Sequence, residues 1–110
     1  MKSASTVVFL GLVLFCVSCR RQDIRTALIH VPEMKNEACV QRVVKAIERT
    51  PGVVKDSIEA DRESRTVTVS YNSIELSLKN LEFQVAGTGF LANNVPADKN
   101  AAQKLPPECR

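Results

Sequence analysis

Between Ala27 and Val95 the apolar residues change period repeatedly, and the order of those changes leaves very few folds open. Ala27, Ile29 and Val31 alternate with Leu28 and His30, the two-residue period of a strand. Pro32 closes it, because proline has no N–H for a sheet ladder. Val40, Val43, Val44 and Ile47 then recur at spacings of three and four, one buried stripe of a helix expected from Glu37 to Thr50. Asn36 supplies its N-cap, Glu37 suits the positive end of its dipole, and Pro51-Gly52 stops it. A second strand is expected from Val53 to Ala60, with Val54, Ile58 and Ala60 inward and Asp56 interrupting that face. Thr66 to Tyr71 is the clearest strand, with Val67, Val69 and Tyr71 inward and Thr66, Thr68 and Ser70 outward. Ser77 caps a second helix carrying Leu78, Leu81 and Val85, which Gly87 and Gly89 end. Phe90 to Val95 reads as a short closing strand. Strand, helix, strand, strand, helix, strand is the order of the ferredoxin-like α+β fold, βαββαβ, with two helices on one face of a four-stranded antiparallel sheet.

A different signal precedes this domain. Lys2 leads into the apolar run Val7–Val17, eleven residues long, where a membrane-spanning helix needs about 20. Its length is that of a signal-peptide core. Ser18-Cys19 follows and resembles a bacterial lipobox, with Cys16 where that motif usually has Leu. The expectation is an exported protein of the periplasm or cell envelope, anchored to the membrane by lipid on Cys19. Arg20 and Arg21 are unusual so close to such a site, since positive charge tends to stay cytoplasmic. Ordinary signal-peptidase cleavage, or a short uncleaved anchor, is the competing reading. The chain thus divides into a signal peptide (1–18), a tether (19–25), a folded domain (26–96) and a tail (97–110) with a helical turn at Lys99–Lys104.

Composition excludes several functions. A length of 110 residues leaves room for one domain. With no Trp, one Tyr and four Phe, the core must be built from Val, Ile, Leu and Ala. The net charge of +3 falls to +2 once Lys2 leaves with a signal segment, and no basic stripe with interleaved aromatics invites nucleic acid. From Lys45 to Arg65 acids and bases alternate, as on a solvated surface. There is no Ser/His/Asp set and no nucleotide loop, and His30 has no acidic partner at helical spacing, so an enzyme is not expected. His30 points away from the helices and reads as a surface residue.

The stretch His30-Val31-Pro32-Glu33-Met34-Lys35-Asn36-Glu37-Ala38-Cys39 resembles the metal loop of the heavy-metal-associated (HMA) domain family, usually Val-x-Gly-Met-x-Cys-x-x-Cys. Val43, Ala46-Ile47 and Gly52-Val53 follow at that family's spacing. Val67 to Asn72 fits its third strand, and Gly89-Phe90 fits the Gly-Tyr/Phe pair opening its last. The layout is similar to periplasmic mercury-binding proteins and copper chaperones. The resemblance implies binding of a soft heavy-metal ion (Cu, Hg or Zn) through thiolates, and transfer to a partner protein. It also marks two departures, Glu33 in place of glycine and Asn36 in place of the first metal cysteine.

Cys39 matches the second metal cysteine and sits at a helix N-terminus, where the dipole lowers a thiol pKa. Cys109 is the other candidate ligand. It lies thirteen positions after Pro96, and an extended chain spans ~3.3 Å per residue, so reach is no obstacle. In an oxidising compartment the two thiols either pair or are held for a metal; the competing readings are a small buried residue for Cys39 and a stray thiol on a disordered tail for Cys109. Beside them, Met34 holds the position whose side chain, the resemblance implies, tucks under the loop; Asn36 is expected to cap the helix, and Phe90 to shield the site or close the core. The rival to a metal carrier is an interaction or structural module that kept the fold and lost its metal.

Overall fold

The structure is a computed structural model and describes residues 22–110. The signal segment with Cys16, and the lipidation expected at Cys19, lie outside the described residues. Six regular elements follow one another: β1 (Ile24–His30), α1 (Glu37–Glu48), β2 (Glu59–Asp61), β3 (Thr66–Asn72), α2 (Leu78–Ala86) and α3 (Lys99–Lys104). β1 therefore starts at Ile24, inside the stretch read as tether. Asp23, just before it, accepts a hydrogen bond from the Ser73 hydroxyl beyond the end of β3. That bond, with Arg25 nearby, holds the Asp23 carboxyl below its usual range.

β3 is the middle strand of an antiparallel sheet in the order β1-β3-β2. Its register with β1 runs from Ile24↔Asn72 to His30↔Thr66, which sets Ile29 beside Val67 and Ala27 beside Val69. One sheet face is thus apolar, and both helices lie on it. Val43 and Ile47 of α1, Leu81 and Val85 of α2, and Val67 and Val69 are all fully buried in one core. Burying each such side chain is worth about 1.5–3 kcal/mol.

Two expectations from the sequence need correction. The strand expected over Val53–Ala60 is broken, because Lys55–Ser57 forms a 3-10 turn. The Ser57 hydroxyl donates to the Val54 carbonyl and accepts from Ser70 N at 2.9 Å, so a side chain fills a place in the ladder. What remains as β2 is exposed throughout, and Ala60 and Val54 face outward rather than into the core.

The second correction concerns the closing strand, so the sheet has three strands among the described residues and not four. Ala92 and Val95 bond each other in a tight turn, with Asn93 in the left-handed region at φ 50°. Asn93 N donates to His30 O at 2.9 Å and its Oδ1 accepts from His30 N at 2.8 Å. One residue thereby imitates a strand and goes no further. Asparagine tolerates this backbone, and Pro96, three positions on, could not continue a ladder.

The chain then turns back over the helices. Gly89 has φ +103°, and a Cβ there would lie 2.8 Å from the Ala102 backbone. Glycine is required twice, for its conformation and for the approach of α3.

Candidate functional site

The loop from Val31 to Asn36 is pinned from three sides. Val31 N donates to Arg65 O at 2.8 Å, and the Arg65 guanidinium returns a bond to Pro32 O at 2.9 Å. Glu33 Oε2 accepts from Leu91 N at 3.2 Å, tying the loop to the chain after α2. Met34 is fully buried beneath it.

Asn36 has extended backbone and its Oδ1 accepts from Cys39 N at 3.0 Å, so it caps α1. The cap leaves Cys39 as the third residue of the helix, among amides that have no intrahelical partner. Cys39 itself is fully buried.

The tail brings the second cysteine to this point. α3 seats on Gly89, Leu105 enters the core, and Pro107–Cys109 forms a 3-10 turn. Arg110 holds that turn, donating to Leu105 O at 3.1 Å and Gln103 O at 3.2 Å. Lys35 of the loop reaches Arg110 O at 3.4 Å. Cys39 and Cys109 are joined by a disulfide, with Cα atoms 5.7 Å apart and 70 positions between them in sequence. A bonded sulfur carries no hydrogen, so the 3.8 Å approach of Cys39 Sγ to Glu108 O is a packing contact.

Of the candidate residues, Cys39 and Cys109 are thus brought together, with Met34 and Phe90 fully buried in the same core. His30 is exposed. Among the described residues no group of three or more His, Cys, Asp and Glu could hold a metal ion. A concavity of about 550 Å³ runs along α1 beside Arg42, Lys45 and Arg49, and its lining holds no sulfur or imidazole. Sequence reasoning missed the Glu33–Leu91 tie and the tail's seat on Gly89. The small pair Ala101-Ala102, thirteen positions after Thr88-Gly89, was the available signal for the second.

The family model of the heavy-metal-associated domain matches residues 28–90, more than half of the chain. The chain belongs to the heavy-metal-associated domain family. No curated protein matches its sequence. Oxidized MerP from Ralstonia metallidurans CH34 is similar in structure, with a TM-score of 0.60 and 27% identity over 64% of this chain and 96% of that one. A CopZ metallochaperone gives 0.57 and 19% over 62% and 98%. The copper form of a CopA variant from Bacillus subtilis gives 0.54 and 20% over 71% and 96%. At their identities the last two speak for the ferredoxin-like fold alone. In this heavy-metal-associated domain Cys39 falls within the matched stretch, whereas α3 and Cys109 lie beyond it.

Proposed function

We propose that the protein is an exported, lipid-anchored carrier or scavenger of a soft heavy-metal ion, which Cys39 and Cys109 bind once their disulfide is reduced. The observation that supports it is the tail's delivery of Cys109 to Cys39, 5.7 Å between Cα atoms, at the start of α1. Asn36 stands where the family loop usually has a first cysteine, and the tail supplies a second thiol instead. Cu⁺, Hg²⁺ and Zn²⁺ suit such a pair, because soft ions prefer sulfur.

The disulfide is the resting form in an oxidising compartment. A dithiol donor attacks one sulfur, and its second thiol resolves the mixed disulfide. Two electrons and two protons pass to Cys39 and Cys109, and the donor leaves as its own disulfide. The metal ion then displaces the thiol protons. Onward transfer goes to a partner protein.

A second reading draws on the burial of both sulfurs. A buried disulfide is a staple, and the domain is then an interaction or structural module without metal. Metal titration separates the two. Reduced protein should take up about one Cu⁺ or Hg²⁺ per chain and lose two titratable thiols, while oxidised protein takes up none. Cys109→Ser should weaken uptake, and Asn36→Cys should strengthen it by placing two thiols on one loop. Failure of the reduced protein to bind at micromolar concentration would leave the stapled module as the function.

The anchor has its own test. Radiolabelled fatty acid should enter the wild-type chain in cells and be absent from Cys19→Ala. Label that persists in the variant refutes the lipid anchor.

A further inference from the structure

The two edges of the sheet are treated differently. The β2 edge is three residues long, carries Glu59 and Asp61, and follows a 3-10 turn, features that keep other strands away. The β1 edge is seven residues long. Asn93 bonds the backbone of His30 and reaches Leu28 O at 3.3 Å, which shows that the even-numbered residues of β1 aim their N–H and C=O groups outward. From there back to Ile24 no other described residue bonds this edge, because the chain leaves β1 after Asn93 to carry Cys109 to Cys39.

The bare stretch is also apolar where its neighbours are not. Ile24 is 50% exposed and Leu28 64%, with exposed Thr26 midway between them on the same face. That spacing is symmetric about Thr26. Two such strands run antiparallel with Thr26 opposite Thr26 set Ile24 of each against Leu28 of the other. The Thr26 pair then exchanges both backbone hydrogen bonds, and so do the two Ile24–Leu28 pairs, with Leu28 O accepting from the second copy on the lone pair that Asn93 leaves. A second copy therefore supplies an apolar partner for each of the two exposed side chains.

We propose that β1 pairs antiparallel with β1 of a second copy of this chain, in register about Thr26, joining two three-stranded sheets across a two-fold axis. The pairing is independent of the metal reading. It leaves Cys39 and Cys109 inside each copy.

Directly opposed, hydrogen-bonded residues in such a pair have Cα atoms about 5.5 Å apart, within the Cα span that a disulfide bridges. The test uses the full chain with Cys16→Ser and Cys19→Ser, so that no other cysteine is free. Adding Thr26→Cys should give a covalent dimer on mild oxidation, and Ser64→Cys, in an exposed turn away from the edge, should not. By sedimentation equilibrium without the added cysteine, Leu28→Lys should raise the dimer dissociation constant at least about tenfold. The proposal is overturned if Thr26→Cys cross-links no better than Ser64→Cys. It is also overturned if a dimer forms but Leu28→Lys leaves its dissociation constant unchanged, since another surface then holds the copies.

Discussion

Cys109→Ser should cost the oxidised protein about 4 kcal/mol of stability. The disulfide it removes joins positions 70 apart, and in the chain-entropy model closing a loop of that size in the unfolded state is worth about 4 kcal/mol. Domains of this kind hold only about 5–15 kcal/mol in all. A fall in Tm of about 15–30 °C is therefore expected, at roughly 4–8 °C per kcal/mol. Cys39→Ser should do the same, and the double variant little more, because both substitutions remove one bond. Chemical denaturation with and without a reductant checks this, since reduction should bring the wild type down to the variants. Equal midpoints for oxidised wild type and Cys109→Ser would mean that the bond does not form. In that case the tail's docking by Gly89 and Leu105 has to stand without covalent help.

Phe90→Ala should cost about 3–5 kcal/mol, the usual range for deleting a fully buried aromatic. Phe90 is the largest fully buried side chain among the described residues, so its truncation removes the most buried volume. Phe83, 56% exposed on α2, is the internal control, and Phe83→Ala should change stability by less than about 0.5 kcal/mol. The pair distinguishes burial from ring chemistry. If the urea midpoints of the two variants coincide, Phe90 does not hold the core together.

Among the elements, α1, β3 and α2 were legible in the sequence because what makes them is local. Asn36 and Ser77 each bond an amide three residues on, to Cys39 N and Asn80 N, and the apolar residues behind them lie on the buried faces, except Leu78, which is 40% exposed at the start of α2. The alternation of β3 likewise puts Val67, Val69 and Tyr71 inside with no help from distant residues. β2 and the missing fourth strand were not legible. Each depends on which distant group satisfies a backbone amide, the Ser57 hydroxyl for Ser70 N and the Asn93 carboxamide for His30 N. Apolar spacing carries no record of that competition.

The candidate site divides along the same line. The sequence by itself determined that a cysteine stands in the first turn of α1, because cap and spacing are local. Tertiary structure alone decided that Cys109 meets it. A flexible tail of that length can end almost anywhere within its reach, and its path is set by α3 packing on Gly89 and by Leu105 entering the core. Those contacts select one direction out of many, and the disulfide holds it.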